Sequence, residues 1–477
     1  MLIALGCLLV AVEARAEDGG QATPESNATE PASPAKASDK QIEIGPPPPG
    51  FDFKRPLSRD DYRRKKERHV VTGLPLFNFD SNTGFGGGVR AFYFWNGDRS
   101  DPLFGYTPYL HRVFAQAFAS SGGLQFHWLD WDAPAIAGTP YRIRAQLIYM
   151  RNTAQHFHGI GSDAMAPLTF TGAGQSYAQW ADYDAALQPL RNDGTTLSRY
   201  NDFDMQRPFL VLGLERTFLR GLVRPLLGVG FSYTTIDDYT GETVTARLPD
   251  GDVEAPMGPT LLREQCDAGA VIGCDGGFDN IIRLGVSFDT RDFEPDPNRG
   301  IYADLAFDWS TPALGSDYNY VRFLAAIRYF QTLLPKHTDL VFAGRATFQV
   351  QSGGVPFFTM PTIAWTEDQR TGLGGLRSLR GYRMDRFVGR VLTLLNTELR
   401  WTFLRFQTLK QKFSVGVVGF VDMGRVYDSV GDLTFRNWRR GQGAGLRIAW
   451  NLATILGADF GFSDEDTGLY INFHHQF

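Results

Sequence analysis

Apolar and polar residues alternate with a period of two along most of this chain. Within residues 391–403, the odd positions hold Val, Thr, Leu, Thr, Leu, Trp and Phe, whereas the even positions include Asn396, Glu398 and Arg400. This period is that of a β-strand with one apolar and one polar face. Because no apolar run reaches the ~18 residues that a membrane helix requires, any membrane crossing has to be made by strands.

Turn residues divide the chain after Val70 into sixteen such segments. The composition, with 52 Gly, 13% aromatic and 21% charged residues, fits one large barrel better than three soluble domains. We therefore predict an all-β fold, a transmembrane 16-stranded antiparallel β-barrel over residues 71–477. The predicted strands lie at 71–79, 84–96, 107–120, 122–131, 141–152, 202–218, 222–238, 278–290, 300–311, 319–333, 338–351, 389–404, 412–425, 441–451, 454–463 and 468–477.

The lengths of the gaps between these segments give an independent check. Bacterial outer-membrane barrels have both chain ends in the periplasm, short turns on that side and longer loops outside. The three longest gaps, 153–201, 239–277 and 352–388, follow strands five, seven and eleven and so fall outside the cell. The gaps after strands six, ten and fourteen are short, as periplasmic turns should be.

The N-terminal 70 residues have a different composition. Residues 1–16 are apolar through Val12 and end in Ala14-Arg15-Ala16, which predicts a secretory signal cleaved before Glu17; a short buried strand is the alternative. Residues 17–70 are rich in Pro, Ala, Ser, Glu and Lys, which predicts a disordered periplasmic leader. The charged stretch 59–68 inside it is either a short helix on a membrane surface or a solvated linker.

Two cysteines remain once the predicted signal, with Cys7, is removed. Cys266 and Cys274 lie in a Gly- and Asp-rich loop, and an exported pair in an oxidising compartment is expected to form a disulfide. Two free thiols are the alternative. The additional ligands of a zinc site are absent at suitable spacing, so no metal and no cofactor is expected.

The chain ends in an alternating segment that closes on Phe477. With Phe473 it resembles the C-terminal assembly signal of bacterial outer-membrane barrels. A closing strand without a tail suits a membrane barrel, because unpaired edge groups are costly in lipid.

Several short motifs resemble the BamA/TamA superfamily of outer-membrane barrels, also called the bacterial surface antigen family, over roughly residues 70–477. These motifs are Gly372-Leu373-Gly374-Gly375, Leu379-Arg380-Gly381-Tyr382, Asn396-Thr397-Glu398-Leu399-Arg400, Phe420-Val421-Asp422-Met423-Gly424, Asp289-Thr290-Arg291-Asp292 and Asn298-Arg299-Gly300. The set is specific only in combination. The resemblance implies that the loop after strand eleven folds into the lumen, where Arg380 contacts inward carboxylates.

The residues themselves favour the same contact. Asp422 and Glu398 lie on the polar faces of adjacent strands, so a bidentate arginine clamp on both is feasible. Gly381 would allow the turn that brings Arg380 inward. The predicted lumen latch comprises Arg380, Gly381, Tyr382, Glu398, Phe420, Asp422 and Gly424. A brace that only holds the loop is the alternative to a functional latch.

The resemblance also implies a weak seam between the first and last strands. Pro75 in the first strand cannot donate to a ladder, and Gly84 to Gly88 make the second strand flexible. An ordinary closed barrel with one poor strand end is the alternative. Family members that assemble or secrete proteins carry periplasmic polypeptide-transport-associated domains, and residues 17–70 are too short and Pro-rich to form one.

Together with the barrel pattern, the resemblance implies a non-enzymatic bacterial outer-membrane protein that assists protein or lipid insertion or translocation. A passive pore or structural surface antigen is the alternative. Expected partners are outer-membrane lipid and lipopolysaccharide, with a separate periplasmic subunit or client proteins; a net charge of −5 points away from nucleic acid.

An enzymatic function is the least favoured interpretation. The chain has no G-x-S-x-G elbow and no H-E-x-x-H motif. His156 and His158 lie just before the Gly-rich residues 159–162, at the start of a long loop. Because no acid lies beside them in sequence, we interpret them as residues of a surface loop.

Overall fold

The structure is a computed structural model. It describes residues 44–48, 51, 56–57, 62–63, 65–292, 297–334, 338–366, 369–370, 372–408, 411–450, 454–473 and 477. The predicted signal peptide and most of the predicted leader lie outside the described residues, so their boundaries remain predictions.

In the described part of the chain, sixteen antiparallel strands form one closed barrel, which confirms the predicted fold. Each strand pairs with the next in sequence, and the last pairs with the first. The strands are β1 His69–Asp80, β2 Gly84–Trp95, β3 His111–Ser120, β4 Leu124–Ala133, β5 Tyr141–His156, β6 Asp202–Arg216, β7 Val223–Asp237, β8 Ile281–Asp289, β9 Gly300–Ser310, β10 Tyr320–Thr332, β11 Asp339–Gly353, β12 Val391–Thr408, β13 Gln411–Tyr427, β14 Arg439–Trp450, β15 Thr454–Phe462 and β16 Thr467–Phe473.

The alternation in sequence becomes an apolar outer surface and a polar interior. In β9, Leu305, Phe307 and Trp309 face outward and are 38–46% exposed, whereas Asp304 and Asp308 are buried in the lumen. Asp308 accepts two hydrogen bonds from Arg283 of β8, at 2.6 and 2.7 Å. Such an outer surface is suited to contact with lipid. In the interior, ion pairs provide hydrogen-bond partners for the buried charged side chains.

The three long loops follow β5, β7 and β11, as predicted. They contain the short helices α1 Ser162–Met165, α2 Trp180–Leu187 and α3 Leu261–Asp267, and a hairpin of Thr243–Leu248 with Gly251–Pro256. Shorter pieces are the strands Gly277–Phe278, Ile363–Ala364 and Gln369–Arg370 and the 3₁₀ turns Ile136–Gly138, Leu219–Gly221, Pro312–Leu314 and Val430–Asp432. No described helix is long and apolar enough to cross a membrane.

The second of these loops contains the predicted disulfide. Cys266, near the end of α3, is bonded to Cys274, with Cα atoms 6.0 Å apart. Both cysteines pack at the edge of an apolar cluster that includes Leu262 and Phe357. The bridge therefore closes a short segment of the loop, which packs on this apolar cluster.

Described residues of the predicted leader pack against the loop between β2 and β3. Phe51 is 1% exposed and clusters with Leu103 and Ala135. Lys65 Nζ donates to the carbonyl oxygens of Phe104 and Thr107, each at 2.8 Å. The sequence offered no sign of these contacts, because the few apolar residues of this segment lie among many prolines and charges.

Candidate functional site

The loop between β11 and β12, residues 354–390, folds back into the barrel. Trp365, Leu373, Leu379 and Phe387 are each at most 2% exposed and pack with wall residues such as Leu392 in one apolar cluster. The hydrophobic effect therefore holds the loop inside the lumen, and its polar residues face the charged wall.

Arg380 is fully buried at the tip of this loop and contacts three strands. Its Nε and Nη2 donate to the two carboxylate oxygens of Asp422 on β13, at 2.8 and 3.0 Å. Its Nη1 donates to Glu398 on β12 and to Asp459 on β15, both at 3.0 Å. The guanidinium carbon lies 3.3 Å from the ring centroid of Phe420. The structure thus brings together the predicted residues Arg380, Asp422, Glu398 and Phe420.

Sequence reasoning missed Asp459, the third carboxylate. In β15 the inward positions are small or apolar, namely Ile455, Gly457 and Gly461, and Asp459 is the one charge among them. That pattern could have identified it. Asp459 also accepts from Arg447 Nη2 at 3.0 Å, so it belongs to a wider ionic network.

The wider network supports each carboxylate with a second donor. Asn396 Nδ2 donates to Asp422 at 2.7 Å, and Arg400 Nε donates to Glu398 at 2.8 Å. Burial alone would lower the pKa of Arg380, but the facing carboxylates of Asp422 and Glu398 outweigh burial and raise it. Arg380 therefore stays charged.

Glycines let the loop backbone approach the wall closely. Gly381 has a φ of +92°, and a Cβ there would lie 2.7 Å from the backbone carbon of Phe462. At Gly441 of β14, a Cβ would meet the carbonyl oxygen of Arg380 at 1.8 Å. At Gly424, the last predicted latch residue, it would lie 2.7 Å from Leu373 of the loop. At Gly381 and Gly441 a Cβ would clash with backbone atoms, so these two positions require glycine, whereas at Gly424 the close contact is with a side chain.

Tyr382 extends the contact toward the last hairpin. Its hydroxyl donates to Asp464 in the turn between β15 and β16, and its ring packs edge-on against Phe387, 5.1 Å away between centroids. Burial is the main cause that raises the pKa of this hydroxyl, so it is protonated and acts as a donor.

A second buried acid lies in the same loop. Asp385 accepts from the Gly372 N–H and from Gln155 Nε2, both at 2.5 Å. Burial raises the pKa of Asp385 to about 6, although both hydrogen bonds oppose the shift. The attachment of the loop to β5 therefore includes a group that titrates near neutral pH.

The seam between β1 and β16 is the weakest contact between adjacent strands in the described part of the barrel. Its ladder consists of Phe79 with Ile471 and Asp80 with Tyr470, at the extracellular end. By contrast, β1 pairs with β2 along all twelve of its residues, Pro75 included, and β12 pairs with β13 through seventeen residue pairs. A short ladder has few hydrogen bonds to break, so among the ladders of the described residues we expect this one to open most readily.

The two predicted assembly-signal residues lie near the end of β16. Phe473 pairs with Leu456 as the final residue of β16. Phe477 lies inside the barrel, where its carbonyl oxygen accepts from Arg400 Nη2 at 3.0 Å and Arg345 sits 4.8 Å from its ring centroid. Residues 474–476 of the predicted last strand, 468–477, lie outside the described residues, and the role of Phe473 and Phe477 as a signal stays a prediction.

The interpretation of His156 as a loop residue without an acid partner is wrong. His156 is the last residue of β5, and its Nδ1 lies 2.9 Å from Asp202 Oδ1, directly opposite on β6. His158 is buried, which keeps its pKa well below the usual value. No group of three potential metal ligands occurs among the described residues. His156 and Asp202 therefore form a polar contact between the ends of β5 and β6.

Comparisons with known proteins agree with this architecture. Residues 224–474 match the Omp85 superfamily domain, and residues 48–110 match a domain of unknown function (DUF5982). The chain is similar in structure to BamA from Haemophilus ducreyi lacking POTRA domains 1–3, with 11% identity, 86% of this chain and 70% of that chain covered, and a TM-score of 0.50. CdiB from Escherichia coli is similar over 84% of this chain and 62% of that chain, with 11% identity and a TM-score of 0.49. No curated protein sequence matches the chain.

The Omp85 match covers just over half of the chain and includes the loop, its carboxylate partners and β16. The similarity to the BamA structure independently supports the barrel fold. This chain is a bacterial outer-membrane β-barrel and belongs to the Omp85 superfamily.

Proposed function

We propose that this protein assists the insertion or translocation of protein or lipid at the outer membrane by opening the seam between β1 and β16. The observation that carries the proposal is the ladder between the described residues of these strands, which has two residue pairs. An edge strand offers unpaired N–H and C=O groups to another strand, and in lipid such groups gain strongly from pairing. An opened seam is therefore a template for a client strand and a defect that disturbs lipid order.

The buried loop supports passage at the seam over passage through the lumen. Arg380, Tyr382 and Trp365 are each at most 2% exposed inside the barrel, and the ion pairs of Arg380 join the loop to β12, β13 and β15. These contacts keep the loop fixed to the wall formed by β12, β13 and β15. Lipid and lipopolysaccharide are then the surroundings of the seam, and a separate periplasmic subunit would present protein clients.

A reversible disulfide across the seam tests the proposal. Phe79→Cys with Ile471→Cys places the two thiols on directly paired residues, whose Cα separation in antiparallel strands suits a disulfide. The control is Ala115→Cys with Leu129→Cys, a directly paired position between β3 and β4. Both variants retain the native Cys266–Cys274 bond.

The readout is the folding of an unfolded outer-membrane barrel, and the exchange of labelled lipid between leaflets, in vesicles that contain each variant. We expect oxidation to stop the activity of the seam variant, reduction to restore it, and the control to be unaffected. Full activity in the locked seam variant contradicts the proposal. Ion conductance that persists in the locked barrel, without client folding or lipid exchange, would favour the alternative of a passive pore.

A further inference from the structure

The lumen loop presents arginines at three evenly spaced positions, 380, 383 and 386. Arg380 binds the wall at β12, β13 and β15. Arg386 binds Glu465 through Nε at 2.6 Å and the carbonyl oxygen of Ala164 at 2.6 Å. Of the three, Arg383 contacts residues on both sides of the seam. These three roles are therefore distinct.

The extracellular end of the seam is closed by Ser81, the first residue after β1. Its N–H donates to the carbonyl oxygen of Leu469 at 3.2 Å, and the Leu469 N–H donates back to Ser81 Oγ at 2.9 Å. These bonds continue the two-pair ladder into the turn of the first hairpin. Whatever holds Ser81 in place therefore also holds the seam.

Arg383 contacts Ser81 and can hold it in this position. Its Nη1 donates to the carbonyl oxygen of Ser81 at 3.2 Å, and its Nε lies 2.9 Å from Asp466 Oδ2, in the turn before β16. The two side chains of the ion pair are 22% and 17% exposed, so water screens the pair only partly. The guanidinium also lies 4.9 Å from the ring centroid of Trp180 of α2, which covers it from outside.

Neighbouring residues of the loop reinforce the same bridge. The Met384 N–H donates to Asn82 Oδ1 at 3.1 Å, in the first hairpin. On the other side, Ser463 Oγ donates to the carbonyl oxygen of Gly381 at 2.7 Å, in the last hairpin. Because Arg380 anchors this stretch to β12, β13 and β15, the loop is a fixed support from which Arg383 reaches both edges of the seam.

We propose that Arg383 is a positioning residue that clasps the extracellular end of the seam, and that the seam opens fully only when Arg383 releases Ser81 or Asp466. The clasp itself rests on geometry, whereas its importance for insertion rests on the function proposed above. A charge-assisted hydrogen bond with an ion pair is comparable in strength to the few backbone bonds of the ladder. Loss of the clasp should therefore change the opening equilibrium measurably.

The test compares Arg383→Met with Arg439→Met. Arg439 Nη1 lies 3.4 Å from Asp464 Oδ2 in the same turn before β16, and its Nη2 donates to the carbonyl oxygen of Met165 rather than to the first hairpin. Both changes remove one arginine from the same surface. Residue-resolved hydrogen exchange of the Ser81 and Leu469 amides, in lipid nanodiscs without any client, reports on seam opening directly.

We expect Arg383→Met to speed exchange of both amides about tenfold and Arg439→Met to change it less than twofold. Asp466→Asn, which keeps the shape of the side chain but removes its charge, should speed exchange in the same direction, and Arg383→Lys should recover part of the protection. If neither Arg383→Met nor Asp466→Asn changes exchange beyond the Arg439→Met control, the clasp is wrong.

The same variants separate the clasp from the proposed function. Faster exchange together with altered client folding or lipid exchange supports both. Faster exchange without any change in either activity supports the clasp and contradicts the proposed function, because the seam would open without consequence. Unchanged exchange overturns the clasp, whatever the activity measurements give.

Discussion

Replacement of Arg380 by methionine is the most informative perturbation of the lumen loop. The change keeps an unbranched side chain of similar length and removes four side-chain hydrogen bonds, two to Asp422 and one each to Glu398 and Asp459. The loop should then dissociate from the wall more often, because three buried carboxylates lose a cationic partner at once.

The magnitude follows from the donors that remain. Removing one partner from a buried ion pair costs about 3–5 kcal/mol. Here Asn396, Arg400 and Arg447 still donate to the three carboxylates, which places the expected loss near the lower limit. A loss of about 3 kcal/mol in the local opening free energy corresponds to roughly 100-fold faster exchange of loop amides.

The assay is hydrogen exchange of residues 372–386, measured by mass spectrometry on the barrel in nanodiscs. Arg390→Met is the matched control, since Arg390 ends the same loop and its side chain donates an exposed hydrogen bond to the carbonyl oxygen of Gly353, 2.9 Å away. The control should change exchange less than threefold. If Arg380→Met behaves like the control, the ion cluster does not hold the loop and our reasoning about the lumen is refuted.

Three further predictions concern the same region. Gly381→Ala should weaken the loop by about 1–3 kcal/mol, measured by the same exchange assay, because φ is +92° and the added methyl meets the Phe462 backbone; an unchanged rate would contradict the steric argument. The folded pKa of Asp385 is raised to about 6, so its contribution to loop stability is present below pH ~4 and is lost as the pH rises through about 6. Asp385→Asn should flatten that pH dependence, after correction for intrinsic exchange rates. Cys266→Ser with Cys274→Ser should raise protease cleavage between residues 238 and 280 while leaving barrel strands protected, since the bridge closes only a loop; loss of the barrel would contradict this.

Much of the fold could be predicted because the barrel is periodic. Alternation fixes which residues face lipid, and turn residues fix where strands end, so all sixteen strands and the three long loops were expected. Asp422 and Glu398 were assigned to the lumen by the same parity. Their meeting with Arg380 was suggested by resemblance and feasible from parity, because both lie on adjacent strands.

The missed features depend on contacts that are distant in sequence. Asp459 joins Arg380 from 79 positions away, and Arg383 reaches Ser81 across 302 positions. Neither strand position nor local composition specifies such pairs. The contact of Phe477 with Arg400 likewise joins residues 77 positions apart. His156 gained its acid partner only through the register of β5 with β6.

The central claim is that the contact between β1 and β16 is the weakest ladder of a barrel that resides in lipid. Residue-resolved hydrogen exchange in nanodiscs tests it directly, by comparing the amides of β1 that point toward β16 with amides at equal depth between β12 and β13. The short ladder at the seam predicts exchange at least tenfold faster there, with protection returning only near Phe79 and Asp80. Equal protection along both ladders would contradict the account.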